Sequence, residues 1–249
     1  MRYPLIIIAF IILSSCNSST EERKINQIIQ TSSGSTTRFI QKYDERGNII
    51  LSEQDYDKYG PDDEIYKYYY EKDNLIKEEW YFRNGSKTEL SKTDYYTYNS
   101  DNTINTKVSM DMNGNQFQEF KYDHKMVKGE RETTISQFDS SGELMQEWFY
   151  KYDSIDRVIQ EPNEYQGSIY GYQKYQYSNN NSVQITMFNG GSNPGSTESY
   201  RIDERGNYFS EDTDDTQYKW KFDKYGNWIE KEILKENGGW TAFREISYY

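Results

Sequence analysis

The feature that most constrains this chain is a turn motif that recurs along most of its length. In this motif an aromatic or aliphatic residue and an aspartate are followed by a gap of two residues, by Gly-Asn, and by strand-forming residues. The interval between copies averages about 26 residues, which lies within the range of structural repeats. Copies, clear or degenerate, begin at Tyr43, Tyr70, Tyr98, Tyr122, Tyr152, Tyr177, Ile202 and Phe222.

Each copy has the composition of a β-hairpin turn. The aspartate can accept a hydrogen bond from the backbone two residues further on, and glycine supplies the positive φ that ends a four-residue hairpin loop. Asparagine tolerates positive φ next best, which we take to explain degenerate copies at Asn74 and Asn102. We therefore predict repeat-turn positions at Asp44, Gly47, Asn48, Asp139, Gly142, Asp203, Gly206, Asn207, Asp223, Gly226 and Asn227.

Aromatic residues alternate before the turns, as in Tyr66/Tyr68/Tyr70 and Tyr218/Trp220/Phe222. A period of two is the period of a β-strand, so these rings share one face of a sheet. Looser turns lie between the main ones, so a turn falls about every 13 residues and the chain has about 16 strands. The predicted fold is all-β, an antiparallel meander of repeated hairpins in a curled open sheet or spiral layer; the alternative is a closed β-barrel.

The N-terminus has the pattern of an exported lipoprotein. Arg2 precedes an apolar run that is too short to span a bilayer, and Leu13-Ser14-Ser15-Cys16 is similar to a bacterial lipobox. We predict a signal peptide over residues 1–15, lipidation of Cys16 and a flexible tether over 16–35, with a short ordered piece at 25–29. The β domain then covers residues 36–249 as one unit.

The lipid on Cys16 implies a membrane partner. Asn17, which follows the cysteine, favours the outer membrane over retention at the inner membrane; which face of the outer membrane carries the protein stays open. The formal net charge of −12 disfavours nucleic acid as a partner, because phosphate binding relies on a basic surface. The mean hydropathy is −1.07, yet 26 tyrosines argue for a thin folded structure with half-exposed rings.

Neither catalytic residues nor a metal or cofactor site is indicated by the sequence. His124 is the chain's one histidine, and its position after Tyr122-Asp123 predicts a solvated turn residue. The aspartates that recur at the turn position are explained by backbone geometry, which weakens any argument for a catalytic carboxylate pair. The acidic run at 211–215 lacks the ligand order of a calcium loop, so we expect a solvated loop there.

The remaining candidates are exposed aromatic rings. Trp148, Trp220, Trp228 and Trp240 form a candidate ligand platform, because indole rings stack on sugars. The competing expectation is that most rings pack against one another in cross-strand ladders.

The Tyr-Asp-x-x-Gly-Asn pattern over residues 38–249 resembles the YD repeats of the Rhs family. In that family long arrays form a shell of β-hairpins that encloses a toxin, and YD repeats are associated with carbohydrate binding. This chain has about eight units and lacks the self-cleaving core region of the large members, which argues against enclosure. It is more similar to short YD-repeat lipoproteins of the Bacteroidota.

Three functions follow as hypotheses. The first is a non-enzymatic, envelope-anchored lipoprotein whose β-repeat surface binds a glycan or an envelope protein. The second is a toxin-immunity or adaptor protein, whose acidic surface would suit a basic partner. The third is a glycan hydrolase that uses a carboxylate pair.

Overall fold

A computed structural model describes residues 24–56, 63–165, 168–178, 182–189, 194–202, 208–210, 217–234 and 239–249. These residues form strands, turns and loops and contain no helix. It follows that no described helix has the length and apolarity needed to cross a membrane.

Eighteen strands lie within the described residues. They are β1 (Ile25–Ser32), β2 (Arg38–Tyr43), β3 (Ile49–Asp55), β4 (Asp63–Glu71), β5 (Asn74–Asn84), β6 (Lys87–Tyr98), β7 (Ile104–Asp111), β8 (Gln116–Val127), β9 (Glu130–Asp139), β10 (Leu144–Tyr152), β11 (Val158–Tyr165), β12 (Ser168–Tyr177), β13 (Ser182–Asn189), β14 (Thr197–Ile202), β15 (Tyr208–Ser210), β16 (Gln217–Phe222), β17 (Trp228–Leu234) and β18 (Trp240–Tyr248).

The strands form one antiparallel sheet in which sequence neighbours pair. Pairing runs without a break from β1 to β15, and β16 pairs with β17 and β17 with β18. β1 also pairs with β18, so the two ends of the described chain meet. Within the described residues β15 and β16 do not pair, and the ladder is open there. The prediction of an all-β antiparallel meander in an open sheet is confirmed.

The tether predicted over 16–35 is wrong for residues 25–32, where the short ordered piece expected at 25–29 is part of a longer strand. Residues 25–32 are strand β1, which lies between β18 and β2 and pairs with both. Ile28 is opposite Ile246 on one side and Gln41 on the other, and it is among the few buried apolar residues. The polar, serine-rich composition concealed a strand whose partner lies more than two hundred residues away in the sequence.

The turn at 44–48 has the geometry that the motif predicts. Asp44 Oδ1 accepts hydrogen bonds from the backbone N–H of Arg46 (2.8 Å) and of Asn48 (2.9 Å). Asn48 Nδ2 donates to Asp44 Oδ2 at 3.0 Å, and Gly47 has a φ of +92°. One aspartate thus satisfies the N–H groups that the loop leaves unpaired.

The same loop recurs with small changes. In three copies the residue with positive φ is glycine; in the copy that begins at Asp153 it is Asp156 (φ 61°), and in the copy that begins at Asn99 it is Asn102 (φ 65°). The glycine copies begin at Asp111, Asp139 and Asp223, with Gly114, Gly142 and Gly226. The predicted positions Asp203, Gly206 and Asn207 lie outside the described residues.

Two degenerate copies turn in a different way. After Tyr70 the residue with positive φ is Lys72 (58°), and Asn74 is already the first residue of β5. After Tyr122 no turn occurs; β8 continues to Val127 and the chain turns at Lys128 and Gly129, both with positive φ. Asp123 and His124 are therefore strand residues, and the prediction of a solvated turn at His124 is wrong.

Because strands alternate in direction, the turns that end β2, β4, β6, β8, β10, β12 and β16 lie along one edge of the sheet. We call this the Tyr-Asp edge. Adjacent turns on it are linked: Arg46 Nη1 donates to the Lys72 carbonyl at 2.7 Å, and Tyr98 Oη donates to the Leu75 carbonyl at 2.9 Å. The equivalent Tyr177 Oη donates to the Val158 carbonyl, also at 2.9 Å. The tyrosine of the motif therefore connects one repeat to the previous one.

The two faces of the sheet differ in chemistry. Strand register places Tyr66, Trp80, Tyr96, Phe120 and Trp148 on one side, which we call the aromatic face. The opposite, charged face carries ion pairs such as Arg83 with Glu53 (2.5 Å) and Asp63 (2.7 Å). Few described side chains are buried, as expected for a thin sheet: Ile28, Ile65, Thr93, Asp94, Ser109, Thr133, Val183 and Ala242.

We expect Asp44→Ala to lower the free energy of unfolding by about 1 kcal/mol, because it leaves two backbone N–H groups unpaired. Asp123→Ala is the matched control; the exposed Asp123 side chain pairs with Lys125, so the change should stay within about 0.5 kcal/mol.

The stabilisation by Asp44 should also depend on pH. Partial burial raises the pKa of Asp44, but the hydrogen bonds from Asn48, Arg46 and Gly47 outweigh this effect and lower that pKa. The contribution of Asp44 is therefore present above the ordinary aspartate pKa and lost as the pH falls below it. Urea unfolding at pH 7 and pH 3 measures both effects; equal losses in the two variants would contradict the turn role.

Candidate functional site

Most rings on the aromatic face pack against one another. Tyr66 and Trp80 stack across β4 and β5 with centroids 5.9 Å apart, and Trp80 contacts Phe82 at 4.6 Å. Phe120 and Trp148 stack across β8–β10 at 6.2 Å. These contacts are the ladders that stabilise a thin sheet, and Trp148 belongs to them.

Two of the four candidate platform tryptophans meet. Trp220 on β16 and Trp228 on β17 are 5.7 Å apart, with ring planes at 73°. Phe222 stacks beside Trp220 at 6.4 Å and is 37% exposed. Trp240 on β18 is 42% exposed. It is four residues from Arg244 on the same strand, so both side chains lie on the aromatic face. Trp148 on β10 stacks with Phe120 of β8 and does not belong to this group.

Two cations lie over these rings. Lys231 Nζ is 4.6 Å from the centroid of Trp220, and the Arg244 guanidinium carbon is 3.7 Å from that of Trp228. Both distances allow cation–π attraction, which holds each cation on the aromatic face. We call Trp220, Phe222, Trp228, Lys231 and Arg244 the Trp220 cluster. It combines half-exposed rings with hydrogen-bond donors, the composition of a binding site for a polar ring.

A second group of polar residues lies on the same face at β5–β7. Glu78 is directly opposite Asp94, which is only 2% exposed, and Tyr96 is opposite Lys107. Lys92 Nζ lies 2.9 Å from Asp94 Oδ2, and Tyr96 Oη donates to Glu78 Oε2 at 3.0 Å. Asp94 Oδ1 is buried without a hydrogen-bond partner among the described atoms. We call Glu78, Lys92, Asp94, Tyr96 and Lys107 the Glu78 network.

Burial dominates the electrostatics of this network. It raises the pKa of Glu78, although the hydrogen bond from Tyr96 acts in the opposite direction. It lowers the pKa of Lys107, although the Asp94 carboxylate partly compensates. The pKa of Tyr96 is raised by burial and by the Glu78 charge. Two carboxylates and two ammonium groups thus balance one another within the face.

The sequence reasoning missed the Glu78 network. Its signal was present, because Glu78 lies two residues before Trp80 and Asp94 two residues before Tyr96, which places both carboxylates on the aromatic face. A pair of neighbouring carboxylates is also what a glycosidase needs. The near-complete burial of Asp94, however, leaves that carboxylate out of reach of a sugar.

His124 has a structural role. It lies on β8, where Nδ1 shares a hydrogen bond with Thr133 Oγ1 (3.0 Å) and Nε2 lies 2.8 Å from the Ile104 carbonyl oxygen. In the described part of the chain, no group of three or more His, Cys, Asp or Glu side chains is placed to hold a metal ion. Cys16 and the acidic run at 211–215 lie outside the described residues.

No family model matches this chain, and no curated protein does. Among solved structures, a DUF3836 family protein from Parabacteroides distasonis ATCC 8503 is 15% identical with a TM-score of 0.30, covering 38% of this chain and 93% of that one. A porin-like protein from Bacteroides uniformis ATCC 8492 is 12% identical with a TM-score of 0.40, covering 90% of this chain and 96% of that one. A porin-like protein from Bacteroides vulgatus ATCC 8482 is 13% identical with a TM-score of 0.31, covering 91% and 99%. The fold assignment therefore rests on the strand pairings of this chain itself.

Proposed function

We propose that this chain is a lipid-anchored, non-enzymatic binding protein of the bacterial envelope, and that its aromatic face binds a glycan. The observation that carries the proposal is the Trp220 cluster, in which two indole rings lie 5.7 Å apart on one face with cations above them. Aromatic rings offer apolar area to the faces of sugar rings, while the donors around them bind hydroxyl or acidic groups. The lipobox-like residues ending at Cys16 support the anchor.

The other two hypotheses have weaker support. A hydrolase would need carboxylates that a glycan can reach, and the Glu78 network offers an Asp94 that is 2% exposed and already paired with Lys92. An immunity or adaptor protein is supported by the net charge of −12 alone. Neither the Glu78 network nor the net charge combines aromatic rings with hydrogen-bond donors as the Trp220 cluster does. Glycan binding is therefore the function with the best support.

We expect the full chain, purified in detergent, to be retarded in gels that contain a soluble polysaccharide. A panel of neutral and acidic polysaccharides serves as the probe. Trp220→Ala with Trp228→Ala should weaken the interaction at least about tenfold, about 1.4 kcal/mol, because the stacking area is lost. Trp148→Ala is the matched control, since this ring belongs to a packing ladder, and its affinity should stay within about twofold. Retardation by no polysaccharide, or equal losses in both variants, would contradict the proposal; capture of a basic protein partner instead would favour the adaptor hypothesis.

A further inference from the structure

Arg244 occupies an unusual position within the Trp220 cluster. It lies on β18 opposite Gln30 of β1, and its Nε donates to Gln30 Oε1 at 3.1 Å. The guanidinium group lies over Trp228, and the Tyr43 side chain is close enough to interact with its charge. Gln30 thus fixes one edge of the guanidinium group, and Trp228 contacts one of its faces.

Among the described residues this arginine has no acidic partner. The other arginines with described side chains each form an ion pair with a carboxylate: Arg38, Arg46, Arg83, Arg131 and Arg157. For Arg244 the described residues provide no such carboxylate, and they provide no acceptor for either of its Nη atoms. Arg244 thus differs from the other arginines whose side chains the structure describes.

The absence of a partner has an electrostatic cost. Burial lowers the pKa of Arg244 to about 10, and only the Tyr43 hydroxyl opposes that shift. The group is still charged at neutral pH, so the protein holds a partly desolvated cation that no carboxylate compensates. Its side chain is half-buried, so part of it is open to the surface of the aromatic face. A ligand anion would supply the missing charge.

We propose that Arg244 binds the carboxylate of a uronic acid residue whose sugar ring packs on the tryptophans of the Trp220 cluster. A planar guanidinium group forms paired hydrogen bonds with a carboxylate, which a lysine cannot do with the same geometry. Lys231, held over Trp220, adds positive charge on the same face. The proposal rests on glycan binding at this cluster and adds the class of sugar.

The net charge of the chain makes the proposal testable. At −12 the protein repels acidic polymers at long range, so a preference for an acidic sugar has to come from a local cation. Oligogalacturonate and its methyl ester have the same rings and linkages; the ester replaces each carboxylate by a neutral methoxycarbonyl group. The same comparison is made with oligomannuronate and its ester.

Isothermal titration of the full chain in detergent measures the four affinities. We expect at least one acid to bind at least about tenfold more tightly than its own ester, with a preference that falls between 50 and 500 mM NaCl. Arg244→Met should remove this preference by weakening the binding of the acid, while Arg244→Lys should retain only part of it. A thermal melt of each variant reports whether it is folded.

The wild-type comparison of acid and ester needs no variant, so the proposal is testable even if Arg244→Met does not fold. Equal affinity for an acid and its ester would overturn the acidic subsite and leave glycan binding standing. Binding of neither would overturn the uronate subsite, while glycan binding itself is decided by the polysaccharide panel. Binding of dextran sulfate as tightly as of the uronates would overturn the assignment to a sugar carboxylate and indicate general attraction to anions.

Discussion

Replacing Ile28 by aspartate is expected to lower the free energy of unfolding by about 3–5 kcal/mol. Ile28 is 9% exposed, in the middle of a strand that is hydrogen bonded on both sides. The substitution removes buried apolar area and places a carboxylate between Ile246 and Gln41, where no cation is opposite it. Because β1 joins β18 to β2, the loss should separate the two ends of the sheet as well as destabilise one strand.

Ile50→Asp is the matched control. Ile50 follows a predicted turn, in a segment that the sequence predicts to be a strand. It is 39% exposed, so the same substitution should lower the free energy of unfolding by less than about 1 kcal/mol. If residues 16–35 were a flexible tether, Ile28→Asp would cost less stability than Ile50→Asp. Urea unfolding followed by circular dichroism decides between the two; an Ile28→Asp variant as stable as the wild type would show that β1 is not part of the folded sheet.

Gly171→Ala is expected to cost about 3 kcal/mol, at the upper end of the cost of overpacking. A methyl group on Gly171 would lie 1.7 Å from the Phe188 carbonyl oxygen and 2.8 Å from its carbon. Gly171 on β12 is opposite Asn189 on β13, so the clash is with backbone and no side chain can rotate away. The two strands would have to move apart at this pair.

Gly47 provides the contrast, because its constraint is conformational. With a φ of +92° and open space around it, Gly47→Ala should cost about 1–2 kcal/mol, and Gly47→Asn should recover much of this loss. Asparagine at position 171 should be at least as damaging as alanine, since there the contact is steric. Thermal melts of the four variants test this; recovery by asparagine at 171 would contradict the close approach of β12 and β13.

The pair of glycines shows how far sequence reasoning reaches. The need for glycine at 47 follows from residues 44–48 alone, since the aspartate, the positive φ and the hydrogen bonds all lie within one loop. Nothing near position 171 indicates a close approach, because the Phe188 carbonyl comes from the next strand. The failures at Tyr70 and Tyr122 have a related cause: a strand can extend through a weak turn motif when its neighbour continues to pair with it, as β9 does with β8.

The candidate site divides in the same way. Alternating aromatic residues place Trp220 on an aromatic face, and the predicted turn at 223–227 brings it close to Trp228 within one hairpin. The position of Arg244 depends instead on the pairing of β18 with β17 and β1. No motif in the sequence distinguishes Arg244 from the other arginines of this acidic chain. Its isolation from carboxylates became visible only when Gln30, Tyr43 and Trp228 were placed around it.

The amino-acid sequence by itself determined the hairpins, the spacing of their turns and the alternation of the two faces, because these depend on hydrogen bonds and side-chain directions within a few residues. The tertiary structure alone decided that β1 joins β18 to β2, and that Arg244 has no anion beside it among the described residues. Each of these depends on which strand edges are left to pair once the meander has curled, and that is a property of the whole sheet.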